Sequence, residues 1–437
     1  MKRLALIAVA LAVTADAGRF DRINSRCVGG RSDRGLACED LAFFEFAPSN
    51  GAGMGSACAC AAVTGAKGEA LTFTRTGDAT CSRQGLATTG INNGDLTVCT
   101  GNQPRVEPSG GVLGLRVEGA RTSSVLRSQE VDNASWVTVG VLGPAAPTIT
   151  ANAATAPDGT LTADRVQVNA CAPVGSASAV YQNYTGTAAA WSGTLYVRGN
   201  GSGGTLNLYY FDTTAALGNA VNCNYVSASW TRCDVPRTFA NTTHRFGFGC
   251  VNDAVISGSG NTGAADVFVW GAQSEVGAYA TSYIPTVASA TTRNAESATF
   301  PVALSTANNF SWAESLVSPS TLSACAGFFP FFSSPNGPVL YSCFNTGIIA
   351  RVQEAANVAD SPTCVFSAFK WQTGVRWGGV WNRSASTTQC HVDGVTGAAG
   401  TPNALVGSVS FSPVGLNSGA DGIHSRVCVD PDPTRCR

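Results

Sequence analysis

Between residues 131 and 293, short segments of alternating apolar and polar side chains recur at regular intervals, bounded by Gly, Asn, Asp or Pro. They run Thr148 to Ala151, Leu161 to Val168, Ala179 to Tyr184, Trp191 to Arg198, Thr205 to Phe211, Ser229 to Val235, His244 to Cys250 and Ala265 to Trp270. A period of two sends one set of side chains into a core and the other outward, and no window carries the period of a long amphipathic helix. Strands this short and this evenly spaced pack as two antiparallel sheets, face to face. In Thr194-Leu195-Tyr196-Val197-Arg198, Leu195 and Val197 share the inner face and the rest look outward. In Asp266-Val267-Phe268-Val269-Trp270, Val267 and Val269 oppose Phe268 and Trp270. That last strand is expected to stop at Trp270 and run through Gly271-Ala272-Gln273 into an exit loop.

At 437 residues the chain exceeds one ordinary hydrophobic core. A second block of strand-like texture follows, with candidates at Val339 to Phe344, Gly347 to Val352, Cys364 to Trp371, Val375 to Trp381, Gln389 to Val392 and Ser408 to Phe411. The expected class is all-β: two antiparallel β-sandwich (jelly-roll) domains in tandem with a small cysteine-containing N-terminal region. The boundaries read as a signal peptide at 1–17, the N-terminal region at 18–69, a β-rich connector at 70–130, and sandwiches at 131–293 and 294–437. The signal peptide rests on Lys2-Arg3, the apolar run Leu4 to Val13, and the small-x-small site Ala15-Asp16-Ala17. No later segment is long and apolar enough for a transmembrane anchor.

Sixteen cysteines fit export, because disulfides persist in oxidising compartments. Sequence proximity suggests local bridges of Cys27 with Cys38, Cys81 with Cys99, Cys223 with Cys233, Cys325 with Cys343, Cys364 with Cys390, and Cys428 with Cys436. Cys171 and Cys250 suit a bridge between distant strands of one domain. Spacing alone does not fix connectivity. Cys58-Ala59-Cys60 lacks the cationic neighbour that would activate a thiol, so structural pairing is expected there too.

Charge and motifs narrow the function classes. A net charge of -1 gives no long-range pull on a polyanion, so nucleic acid is not an expected partner. The three histidines, His244, His391 and His424, are scattered and no Cys-x-x-Cys occurs, which leaves no zinc cluster. A nucleophile elbow, a phosphate loop and a dinucleotide fingerprint are all missing. Glycoside hydrolysis needs two carboxylates across a cleft. Asp212, Asp266 and Asp393 stand singly, as turn, surface or calcium-ligand residues. No cofactor is expected; Ca2+ is compatible with either sandwich, although no contiguous loop motif announces it.

A family resemblance is carried by pieces in fixed order. They are Leu71-Thr72-Phe73-Thr74-Arg75, Gly77-Asp78-Ala79-Thr80, Asn102-Gln103-Pro104-Arg105-Val106, Gly114-Leu115-Arg116-Val117-Glu118 and Ala120-Arg121-Thr122. Ser128-Gln129-Glu130 through Trp136, Thr150-Ala151-Asn152, Ala156 through Asp164, Trp270-Gly271-Ala272-Gln273 and Thr291-Thr292-Arg293 complete the set. Residues 70–293 thereby resemble modules of phage tail-fibre and other virion structural proteins and of exported bacterial proteins, themselves similar to jelly-roll carbohydrate-binding modules. The block after 294 resembles concanavalin-like or laminin-G-like sandwiches, through the Trp371 and Trp377 strands and the His391-Val392-Asp393-Gly394 turn. The Glu-x-Asp-x-x-Glu acids usual in concanavalin-like glucanases are absent. The cysteine density and the leader depart from the phage pattern and favour an exported bacterial setting.

Sugar recognition needs aromatic faces for pyranose rings and short polar groups for hydroxyls. Trp191, Tyr209 and Trp230, with Asn207, are the candidate glycan-binding residues, Asn207 and Tyr209 sharing the strand face opposite Leu206, Leu208 and Tyr210. A competing role for Trp136, Trp191, Trp230 and Trp270 is to fill a thin core. The expected function is non-catalytic binding of a polysaccharide or cell-surface glycan by a secreted, cell-surface or virion-borne protein, with homo-oligomers compatible with avid binding. The alternatives are a structural or adhesive component without a sugar site and, third, a glycoside hydrolase.

Overall fold

The computed structural model describes residues 71–109 and 112–300, and beyond them only the backbone of strands. The expected leader, most of the 18–69 region, and the bridges proposed for Cys27, Cys38, Cys325, Cys343, Cys364, Cys390, Cys428 and Cys436 lie outside the described residues. The described residues are all-β, with no helix and therefore none long and apolar enough to cross a membrane.

The sandwich is built from β1 (Val137–Val141), β2 (Thr148–Ala154), β3 (Ala163–Val168), β4 (Ser176–Thr185), β5 (Ala190–Gly199) and β6 (Gly204–Asp212). It continues with β7 (Leu217–Tyr225), β8 (Thr231–Thr238), β9 (Thr243–Asn252), β10 (Ile256–Ser257) and β11 (Ala265–Val276). One sheet has the order β2-β3-β11-β5-β8 and the other β10-β7-β6-β9-β4-β1. All neighbours are antiparallel except the β7–β10 pair. Strands β1, β7 and β10 have no counterpart among the expected segments. In β7 the outward positions are only Gly218, Ala220, Asn222 and Asn224, and the inward ones include Asn219, so the segment lacks the apolar alternation that marks a strand.

Between the sheets lies one apolar core. Leu195, Val197, Val235, Val267 and Val269 from the first sheet meet Val180, Leu206, Leu208, Tyr210, Phe246 and Phe248 from the second. Burying each such side chain contributes roughly 1.5–3 kcal/mol. Two disulfides lie in it. Cys223–Cys233 joins β7 of one sheet to β8 of the other, and Cys171–Cys250 ties the approach to β4 onto β9. Both match the expected pairs. Cys81 and Cys99 are also buried and disulfide-bonded, but a bridge between the two is not among those described.

The centre of the first sheet, β5 and the second half of β11, is buried on both faces, and strand alternation fails there. In β5 every residue from Trp191 to Val197 is buried. Tyr196, expected to look outward into solvent, faces outward but lies beneath Trp270, Tyr283, Ile91, Leu96 and Trp230. The cover is supplied by residues preceding the sandwich and by the loop that follows β11. Trp270 does not end the strand. Gly271 adopts φ 65°, and the register steps from Thr194 opposite Gln273 to Tyr196 opposite Trp270, so that Gly271 and Ala272 form a bulge against Leu195. The strand then continues to Val276. Ala272 enters the core, while the Gln273 amide oxygen accepts the Ile284 N–H at 2.8 Å and pins the returning loop on the outer face.

Residues flanking the sandwich pair with each other. Arg121–Ser123 is antiparallel to Thr291–Arg293, and Thr72–Thr74 to Ser297–Phe300. Val112–Val117 continues into a sheet containing Gly422–Asp430, which also pairs with Ala42–Glu45 and Phe310–Val317. Pairing thus crosses the boundaries expected at residues 70, 131 and 294.

Under these clasps sits a buried ionic network. Arg105 contacts Glu296 at 2.5 Å and Glu118 at 2.8 Å; Arg75 contacts Glu296 at 2.6 Å; Arg116 bridges Glu107 and Glu118; Arg293 also reaches Glu118. Burial opposes ionisation of Glu118, yet Arg293, Arg105 and Arg116 together hold its carboxyl well below the usual range. Ser282 donates its N–H and hydroxyl to the same carboxylate. Removing one member strands its partners in a dry interior. Arg105→Leu is therefore expected to cost about 3–5 kcal/mol, read as a lower urea midpoint. Its loss is expected to free residues 71–118 to early proteolysis. In the chain-entropy picture the long Cys171–Cys250 loop contributes about 4.5 kcal/mol, so Cys171→Ser with Cys250→Ser should lower the melting temperature more than Cys223→Ser with Cys233→Ser.

Candidate functional site

The four candidate ligand residues are interior. Relative exposure is 2% for Trp191, 0% for Asn207, 4% for Tyr209 and 0% for Trp230. Trp191 is part of the core, its indole N–H donating to the Thr187 carbonyl at 2.9 Å and its ring edge-on to His244. Trp230 lies under the N-terminal cover, donating to Asn93 Oδ1 at 2.9 Å with the Arg198 guanidinium over its ring at 4.7 Å. Neither presents a ring face to solvent, which corrects the expectation of a platform at these two positions. The core-filling role accounts for both, because a thin sandwich closes its ends and outer face with its largest rings.

Asn207 and Tyr209 do lie on the outer face of the second sheet, as their parity requires, but as its floor. Asn207 donates to Asn222 Oδ1 at 2.9 Å and accepts from the Val251 N–H. Tyr209 stands opposite Gly247, where an added Cβ would fall 2.7 Å from the tyrosine ring. The missing side chain lets the ring lie flat across β9. Burial pushes the Tyr209 phenol well above its ordinary range, so it stays protonated.

The half-exposed groups of this face sit around that floor. Phe211, Arg245 and Asn183 are cross-strand partners on β6, β9 and β4, and Tyr181 occupies the next row beside Gly247. Tyr181, Phe211 and Arg245 are partly exposed and Asn183 is exposed. The Arg245 guanidinium lies 3.9 Å from the Tyr181 ring centroid and 5.6 Å from that of Phe211, with Nε donating to Asn183 Oδ1 at 2.9 Å. Phe211 lies against Gly218, whose added Cβ would approach its ring to 3.1 Å. The result is a shelf of two flat aromatic rings, one oriented cation and exposed amides. Asn222 and Asn224 extend it along β7. Sequence reading missed Tyr181, Asn183 and Arg245. The available signal was Phe246-Gly247-Phe248-Gly249, in which phenylalanines point inward and glycines leave the outer face of β9 bare.

Several of the described carboxylates have assigned partners. Asp212 accepts the Thr214 and Ala215 N–H groups and the Asn241 amide, capping a turn. Asp266 pairs with Arg165 at 2.6 Å. Glu275 accepts the N–H and hydroxyl of Thr281, and burial raises its pKa. His244 is buried against Phe239, with Nε2 on the Asn241 carbonyl, and burial lowers its pKa. Among the described residues no group of three or more His, Cys, Asp or Glu side chains is placed to hold a metal ion. Asp393 lies outside the described residues.

No protein-family model and no curated protein matches the chain. Solved structures that resemble parts of it include the Clostridium thermocellum endo-1,4-β-D-xylanase 10B, as its CBM22-1–GH10 modules complexed with xylohexaose. It is 14% identical over 39% of this chain and 30% of that chain, at TM-score 0.24. Domains LG4-5 of the mouse laminin α1 chain are 10% identical over 67% of this chain and 91% of that one, at TM-score 0.20. A tail fibre protein of an E. coli phage is 11% identical over 71% of this chain and 40% of that one, at TM-score 0.21. This chain thus spans less than a third of the xylanase chain. TM-scores this low transfer neither a fold nor a ligand, and the functional reading rests on the geometry of the sheet face.

Two outcomes test this geometry. Gly247→Ala forces a methyl onto the Tyr209 ring and the Val180 carbonyl, so it should cost about 1–3 kcal/mol in chemical denaturation. Asp164 supplies the second. Burial, with repulsion from Asp132 and against the Asn152 N–H, raises its carboxyl to about 6 from 3.8. The folded state then holds the proton more tightly than the unfolded chain, so this contribution is fully present below 3.8 and is lost as pH rises to about 6. Asp164→Asn should remove that loss, seen as a flatter melting temperature across the same window than in the unsubstituted chain.

Proposed function

We propose that the sandwich of residues 137–276 binds glycan without catalysis, through the outer face of its second sheet. The observation that carries this reading is the half-exposed shelf of Tyr181 and Phe211, flanked by Arg245 and Asn183. Flat aromatic faces suit the apolar side of a pyranose, and amides beside them suit its hydroxyls. A non-catalytic role is supported by the engagement of Asp212, Asp266, Glu118, Glu275 and Glu296 in caps and ion pairs. A secreted or surface setting, cellular or virion, is supported by the two disulfides of the sandwich. One shelf gives weak contacts, so avidity from repeated copies is part of the reading.

A second reading is a structural or adhesive component with no sugar site. It is favoured by the interior position of Trp191, Tyr209 and Trp230, which leaves their area to stability and not to a ligand. A glycan array of the full chain, followed by affinity electrophoresis in the polymers retained, separates the two. Phe211→Ala or Tyr181→Ala should weaken retention about 3- to 10-fold with little change in melting temperature. Trp230→Ala should instead unfold the protein at lower denaturant. Retention of no glycan at all would leave the structural reading.

A further inference from the structure

We propose that the glycan taken by this shelf is acidic, a uronate-bearing polysaccharide whose carboxylate pairs with Arg245; this inference rests on the glycan-binding reading of the same face. Three observations carry it. Arg245 is oriented before any ligand arrives, because Tyr181 stacks on its guanidinium and Asn183 accepts from Nε. Among the described residues its terminal nitrogens have no partner of their own, although Nε is satisfied. The planar edge left over is the one that takes a carboxylate through two parallel N–H donors.

The third observation is the charge around it. The strand residues that share this face beside Arg245 are neutral: Phe211 and Asn183 in its own row, Tyr209, Gly247 and Tyr181 in the next. Asp212 follows Phe211 in sequence, but its carboxylate is occupied by Thr214, Ala215 and Asn241. Asp253 lies beyond the far end of β9, roughly 25 Å along an extended strand, and caps the Val255 N–H. An unpaired guanidinium flanked by two rings, with no competing carboxylate on the face, selects an anionic sugar over a neutral one. A ring stacked on Phe211 would bring an equatorial carboxylate within reach of the Arg245 fork, whereas a neutral pyranose would leave that fork to water.

The test is affinity electrophoresis and calorimetry of the full chain with polygalacturonate, with the same polymer after reduction of its carboxyl groups, and with neutral xylan. Polygalacturonate is expected to bind at least about 10-fold more tightly than its reduced form, with affinity falling as salt rises. Arg245→Gln should erase that difference, Arg245→Lys should restore part of it, and Phe211→Ala should weaken both forms alike. Equal binding of the native and reduced polymers, or unchanged polygalacturonate binding by Arg245→Gln, overturns the acidic-sugar inference and leaves the glycan reading standing. Binding to none of the three polymers, when the array also retains none, overturns both. If Arg245→Gln does not fold, the comparison of native and reduced polymer on the unsubstituted chain decides the question alone.

Discussion

The structure depends on a set of charges that water never reaches. Arg75, Arg105, Arg116 and Arg293 enclose Glu107, Glu118 and Glu296, and these residues come from chain segments on either side of the sandwich. Desolvating them is costly, and only their close, mutually hydrogen-bonded arrangement offsets that cost. The arrangement leaves little room for alternatives. Glu118 is satisfied only when Arg105, Arg293 and Ser282 are all in place, so closing the network places the N-terminal segment, the loop after β11 and the strand at Thr291–Arg293 in a single step.

That placement determines which faces of the sandwich are available. Once the network fixes residues 71–118, Ile91 and Leu96 lie over Tyr196, Trp230 and Trp270, and the outer face of the first sheet becomes a second core. The second sheet has no such cover over Tyr181, Phe211 and Arg245. The asymmetry is therefore a consequence of packing at the base: the centre of one sheet is covered, and the other presents a shelf. On that shelf the glycines of β9 and β7 serve the same end as the rings. They permit Tyr209 and Phe211 to lie down on the sheet, which turns bulky side chains into a surface.

Much of the sandwich was legible in the residues. Leu206, Leu208 and Tyr210 against Asn207, Tyr209 and Phe211 divide as the period of two requires, and the bridges suggested for Cys171 with Cys250 and Cys223 with Cys233 are formed. Trp230 and Tyr196 sit at outward positions and so read as available, yet a segment more than 100 residues earlier covers Trp230 and its neighbours, while Trp191 fills the core between the sheets. Leu217–Tyr225 was unreadable as a strand because its hydrogen bonds to β6 and its disulfide, and not its own side chains, make it one. Trp270-Gly271-Ala272-Gln273 was recognised as a signature but not for its physics, which is a bulge that places Trp270 outside, Ala272 inside and Gln273 on the returning loop.

The sequence by itself determined the all-β class and the division of each strand into two faces. Those follow from local rules, since a strand's geometry fixes which side chains share a face wherever it is placed. Only the tertiary structure decided which outward face meets solvent and which meets more protein. Exposure is set by distant segments, here drawn together by arginines and glutamates whose partners lie up to 221 residues apart. For the same reason the shelf of Tyr181, Phe211 and Arg245 is a property of the fold. Three side chains on three strands become one surface only when β4, β6 and β9 lie side by side.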